Sequence, residues 1–149
     1  MFVDHAKIYV KAGDGGNGCI AFRREKYVPH GGPSGGNGGR GGDVYFRGTS
    51  HLNTLLPLKY RQHFNASRGG HGSGAKRYGK SGADLIVEVP VGTQVYDESS
   101  RQILFDLDEP GKRERVARGG RGGRGNAAFT TSTHQAPREF ECGKAGEEI

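Results

Sequence analysis

The chain alternates between two kinds of pattern. The first is strand-like. In 2–10, Phe2, Ala6, Ile8 and Val10 fall on one face, with Asp4 breaking it, while Val3, His5, Lys7 and Tyr9 fall on the other. Cys19 to Phe22 and Val44 to Phe46 are short apolar runs. Leu85, Val87, Val89, Val91 and Val95 keep a period of two against Glu88, Gln94 and Tyr96. Pro90 inside this run marks an edge or a bulge, and Val91-Gly92-Thr93 a bend. Ile103, Phe105 and Leu107 alternate with Gln102, Asp106 and Asp108; a turn at Glu109-Pro110-Gly111-Lys112 then leads to Arg115-Val116-Ala117. No segment carries a helical period. The pattern predicts short antiparallel strands in a small sheet or barrel.

The second pattern is glycine. It fills 13–18, 31–43, 68–82 and 118–126, and within these tracts the glycines recur three apart. Gly35, Gly38 and Gly41 form one row; Gly36, Gly39 and Gly42 form another. Gly119 with Gly122, and Gly120 with Gly123, repeat it. A period of three is that of the polyproline II helix, which makes no internal hydrogen bonds, so its N–H and C=O groups must pair with neighbours or water. Two bare edges in three would let other backbones approach. Flexible linkers and an intramolecular bundle of such helices are both compatible with the tracts; strands converging on one sheet favour the bundle.

Composition sharpens this. Of 149 residues 28 are Gly, about 19% against a usual 7% or so. The net charge is +6 and unevenly placed: residues 1–82 hold 13 Lys and Arg against 4 Asp and Glu, whereas 83–117 hold 4 against 8. Positive charge follows the glycine tracts and attracts polyanions. Cys19 and Cys142 make neither a disulfide framework nor a metal spacing, and no apolar run approaches the roughly 20 residues of a membrane helix. No signal or transit character is visible at the start. The expectation is a cytoplasmic, bacterial protein with no catalytic constellation and no metal site.

Three stretches carry candidate chemistry. Residues 74–81, GAKRYGKS, match the phosphate-binding pattern GxxxxGK[ST], in which Lys80 would reach phosphate and Ser81 would bind Mg²⁺. The context argues against it: no hydrophobic strand precedes the match, and a strand-like run rather than a helix follows it. Lys76, Arg77 and Lys80 read instead as a basic loop tip. Arg118, Arg121 and Arg124 stand in an RGG-type tract. They could stack on RNA bases, or sit between glycine helices and bond carbonyls. Phe22 to His30 is basic and aromatic, and at least some of Arg23, Arg24, Lys26 and His30 suit RNA phosphates and unpaired bases.

The string FRREKYVPHGGPSGGNGGRGGD at 22–43 resembles the signature of the Obg GTPase family. The resemblance continues through Gly72-x-Gly74, Gly79-x-x-Gly82-x-Asp84, Val89-Pro90-x-Gly92-Thr93, ARGGRGGRGN at 117–126, Phe129 and Gly143-x-x-Gly146-Glu147. It spans essentially the whole chain. It implies a mainly β fold with almost no α-helix: a β-barrel-like base, and a projection of six glycine-rich polyproline II-type helices drawn from about 13–43, 68–82 and 118–138. It also implies one domain over 1–149, with a GTPase domain, its GTP and its Mg²⁺ after Ile149, and no cofactor or enzymatic activity here.

The family resemblance further implies docking on the large ribosomal subunit and its rRNA during late assembly, with stress-response regulatory proteins as further partners. Neither a membrane nor a small-molecule substrate is expected. A generic RGG-type RNA binder and a protein-interaction scaffold with incidental charge are the alternatives. The residues carried over as RNA contacts are Arg23, Arg24, Lys26, His30, Lys76, Arg77 and Lys80.

Overall fold

In the computed structural model, residues 5–22, 32–129 and 141–149 are described. The alternating runs form a base of short strands: β1 (Tyr9–Lys11), β2 (Val44–Thr49), β3 (His63–Asn65), β4 (Leu85–Pro90), β5 (Thr93–Tyr96), β6 (Ile103–Leu107) and β7 (Arg113–Ala117). One helical turn, α1 (Leu56–Tyr60), starts with Pro57 in its first turn, and a 3-10 turn covers Asn126–Phe129. The fold is mainly β, as the alternation predicts. Ile8, Val10, Val44, Phe46, Val87, Val89 and Leu107 turn their side chains into one core. Gly92 and Gly111 hold positive φ, of 93° and 80°, at the two predicted turns.

Pairing differs from the expected antiparallel strands. Among the described strands, β1 pairs β3 in parallel and β2 pairs β4 in parallel, while β2–β7 and β5–β6 are antiparallel. The cause lies in the glycine tracts. β1 and β3 each run outward into a glycine segment, whereas β2 and β4 each receive one returning. Strands that share a direction of exit must lie parallel.

Among the described residues, the glycine segments form six struts: 12–19, 34–43, 66–73, 77–83, 118–126 and 141–147, numbered 1 to 6. The 68–82 tract divides into struts 3 and 4, which run in opposite directions. Strut 6 lies outside the four tracts read from composition. Hydrogen-bond partners along each strut recur every third residue, the repeat of polyproline II. Gly13, Gly16 and Cys19 of strut 1 donate to Gly42, Gly39 and Gly36 of strut 2; Gly38 and Gly41 of strut 2 donate to Gly123 and Gly120 of strut 5; Gly120, Gly123 and Asn126 of strut 5 donate back to Gly13, Gly16 and Cys19. This closes a ring of three struts, each donating to the next.

The same cyclic rule makes three further rings: struts 1, 2 and 3; struts 2, 3 and 4; and struts 1, 6 and 5. In these ladders the N···O distances run from 2.7 to 3.0 Å. Struts 1 and 2 therefore lie at the centre, each bonded to four neighbours. The 118–126 tract is part of this bundle.

Among the described residues, no strut glycine has positive φ, so backbone freedom is not their purpose. Space is. A Cβ on Gly35, Gly38, Gly41, Gly119 or Gly122 would overlap a backbone carbonyl of a neighbouring strut, far inside the 3.0 Å that real Cβ atoms respect. The same holds for Gly36, Gly39, Gly42, Gly79, Gly82, Gly120 and Gly123. Gly92 meets nothing within 4 Å; it serves a turn, not the packing.

Polar residues on the struts supply side-chain acceptors for N–H groups outside the ladders. Asp14 accepts from Gly146 (3.0 Å), Asn17 from Gly143 (2.9 Å), Asn37 from Gly125 (2.9 Å) and Asn126 from Gly35 (2.7 Å). Asp43 does this where strut 2 enters β2. Its buried carboxylate accepts from Gly119 N–H (2.7 Å) and Arg40 (2.6 Å), with Arg115 at 3.6 Å. Burial pushes the Asp43 carboxyl up, but the Gly119 amide, Arg40 and Arg115 outweigh it and hold the group below the ordinary carboxylate range.

Two outcomes are expected. Gly39→Ala destabilises the fold by more than about 3 kcal/mol in denaturant titration, because backbone has nowhere to retreat; Gly74→Ala, whose Cβ would meet only the Ala21 methyl at 3.5 Å, stays within about 1 kcal/mol of the parent. Asp43 has a depressed native pKa, so its stabilisation is complete above the unfolded value near pH 4 and is lost as pH falls through the native one. Asp43→Asn lowers stability at pH 7 and flattens the acid limb of a urea-midpoint profile; parallel profiles for the two proteins would contradict this.

Candidate nucleic-acid interface

The ladders fix which end of each strut is which. Struts 1, 3 and 5 leave the base; struts 2, 4 and 6 return to it. Every link between an outgoing and a returning strut therefore starts and finishes at the end remote from the base. Phe22 and Pro33 form a bridge there, as do Ser73 and Arg77, and Asn126–Phe129 lies at the same end of strut 5. At about 3.1 Å per residue, strut 5 alone is about 25 Å long. The result is a thin projection whose described outer strut ends, with the Ser73–Arg77 hairpin, gather at one tip.

The link from strut 3 to strut 4 is a tight hairpin. Ala75 and Lys76 both have positive φ, 59° and 55°, as a type I′ turn requires of its two central residues. Ser73 N–H donates to Arg77 C=O (3.0 Å), and Lys76 N–H donates to Ser34 C=O at the start of strut 2 (2.6 Å). Arg77 Nε also donates to Gly74 C=O (3.3 Å). The hairpin is thus tied to the bundle, and it presents Lys76, Arg77 and Lys80 as exposed side chains. The candidates Arg23, Arg24, Lys26 and His30 lie outside the described residues.

This geometry does not fit a phosphate-binding P-loop at Gly74–Ser81. The match spans a hairpin and a strut, with strand β4 following and no helix. Amides that such a loop turns onto phosphate are spent: Gly79 N–H donates to Asn37 C=O (2.8 Å) and Gly82 N–H to Arg40 C=O (2.7 Å).

Arg118, Arg121 and Arg124 stand three apart on one exposed edge of strut 5, about 9 Å from one to the next. Their side chains face outward rather than lying between struts on carbonyls. Arg124 is tied down: its Nε donates to Glu141 (2.7 Å) and its guanidinium lies 4.5 Å over the Phe129 ring. The Glu141 bond raises the Arg124 pKa, and Arg124 in turn lowers that of Glu141. The Arg118 N–H is taken by the Glu147 carboxylate (3.0 Å). Arg121 instead lies level with Lys144, whose N–H donates to the Arg121 carbonyl (2.9 Å).

A cleft of about 880 Å³ opens in the base between His5–Tyr9 and Gln94–Ser99, and none of the residues picked from sequence lines it. The sequence reading also missed Asp14, Asn17, Asn37, Asp43 and Asn126 as acceptors. Their signal was the glycine period itself, since Asp14 and Asn17, and likewise Asn37, Arg40 and Asp43, are spaced by three.

Residues 3–149 match the GTP1/OBG family. The chain is 60% identical over 149 residues to GTPase Obg of Acidobacterium capsulatum, covering 100% of this chain and 43% of that protein. It is 61% identical over 147 residues to GTPase Obg of Persephonella marina (99% and 43%), and 56% identical over 147 residues to that of Acidiphilium cryptum (99% and 44%). The chain belongs to the GTP1/OBG family and carries its N-terminal Obg domain. It spans less than half the length of these relatives. Among the described residues, no helix is long and apolar enough to cross a membrane.

Because the amides of 79 and 82 are committed to the bundle, titration of this chain with GTP and Mg²⁺ is expected to give no saturable heat. Saturable binding that Lys80→Ala removes would overturn that assignment.

Proposed function

We propose that this domain is a ribosome-binding module that docks tip-first on rRNA of the large ribosomal subunit during its late assembly. The observation that carries the reading is a narrow, cross-bonded projection whose connecting hairpin exposes Lys76 and Arg77 at the end farthest from the base. A thin, stiff shape suits entry into a folded RNA cleft, and the cations supply phosphate contacts. The net charge of +6 adds long-range attraction. In this reading GTP and Mg²⁺ belong to a domain outside this chain, the domain itself performs no catalysis, and the protein works in the bacterial cytoplasm. Stress-response regulators are further partners.

A second reading rests on the exposed arginine edge of strut 5: Arg118 and Arg121 could hold any RNA along the side of the projection, without choosing between subunits.

Co-sedimentation with purified large and small subunits over a salt series separates the two. Tip docking predicts saturable binding to the large subunit alone. Replacing Lys76, Arg77 and Lys80 by Gln should then weaken it and reduce the log–log salt slope by about 2 to 3. Equal binding to both subunits, or an unchanged slope, would contradict it.

A further inference from the structure

The tip hairpin carries one residue that neither the fold nor the charge pattern explains. Tyr78 is 74% exposed. It heads the outward row Tyr78 and Ser81 of strut 4, while Gly79 and Gly82 of the same strut face the bundle. Among the described residues, its ring makes no aromatic or cation contact.

The turn just before it is tied by specific backbone bonds. Ala75 and Lys76 both stand in the left-handed region without being glycine, a conformation that costs about 1–3 kcal/mol per residue and persists only where its surroundings enforce it. The Ser73–Arg77 bridge and the Lys76–Ser34 bond are those surroundings. Arg77 and Lys80 flank the ring in sequence, and the bond from Arg77 Nε to the Gly74 carbonyl orients its guanidinium.

We propose that Tyr78 is a base-stacking residue: an unpaired RNA base lies on its ring while Arg77 and Lys80 hold the adjoining phosphates. An exposed ring between cations on a rigid turn is the arrangement that engages a splayed-out nucleotide without reading its identity. The inference rests on the tip being the RNA-docking end and adds to it a contact that is not electrostatic. Tyr60, 84% exposed between Lys59 and Arg61 on the base, has a similar local sequence but lies away from the tip.

The test is large-subunit co-sedimentation of the chain carrying Tyr78→Trp, Tyr78→Phe, Tyr78→Leu or Tyr78→Ala, with Tyr60→Ala as control, each over the same salt series. Stacking predicts that Trp and Phe retain binding, while Leu and Ala each lose about tenfold in affinity. It also predicts an unchanged salt slope for all of them, because no phosphate contact is removed, and parent-like behaviour for Tyr60→Ala. Thermal unfolding should be unaltered, since the ring is mostly exposed. Parent-like binding by Tyr78→Ala would overturn the stacking role and leave tip docking standing. Leu binding as well as Phe would also overturn it, in favour of simple apolar contact. If the parent chain binds no large subunits, tip docking fails and the stacking role fails with it.

Discussion

In the projection, the N–H of one strut reaches the carbonyl of the next across a gap that could not also hold a side chain. Where Gly38 faces strut 1, the position of a Cβ is taken by the Gly16 carbonyl oxygen; where Gly41 faces it, by that of Gly13. Backbone packing of this kind replaces the hydrophobic core that the glycine tracts cannot build. Ordering so many glycines costs more entropy per residue than ordering any other type. The offset comes from dense contact and from satisfied amides, arranged so that each ring of three struts donates in one rotational sense. Asp14, Asn17, Asn37, Asp43 and Asn126 complete that accounting by accepting N–H groups that lie outside the ladders.

The base depends on the projection as much as the reverse. Parallel pairing of β1 with β3, and of β2 with β4, follows from which strands feed outgoing struts and which receive returning ones. Asp43 and Asp84 sit at that junction: the Asp84 carboxylate accepts the Asp43 N–H (2.8 Å), and the Asp43 carboxylate accepts the Gly119 N–H. Charge is divided along the same axis. The acidic stretch 83–117 forms most of the base sheets, while the hairpin cations crown the far end. A polyanion therefore meets an attractive tip and a less attractive base, which favours tip-first approach.

The alternation at 85–95 and 103–107 made β4, β5 and β6 readable, because one face of each strand turns toward the core, fully at Val87, Val89 and Leu107 and partly at Val95 and Phe105, so the side-chain period of two survives in sequence. The glycine period of three was readable for the same reason: each strut has a fixed geometry that selects residues by row. Strand direction was not readable, since side-chain alternation is identical in parallel and antiparallel pairs. Strut 6 escaped because residues 141–147 carry only Gly143 and Gly146, too few to stand out by composition. At the tip, the cations of 76–80 were visible as a basic cluster. That they stand on a loop was readable too, but the left-handed turn that shapes it was not, because neither Ala75 nor Lys76 announces a positive φ.

Native-state hydrogen exchange tests the central claim most directly. If interlocked backbones hold the projection, the amides of Gly16, Gly38 and Gly123 exchange only through global unfolding. Their opening free energies then equal those of the core amides of Phe46 and Val87. Rapid exchange at the strut glycines alongside full protection in β2 and β4 would mean that the projection opens on its own, and would contradict the account.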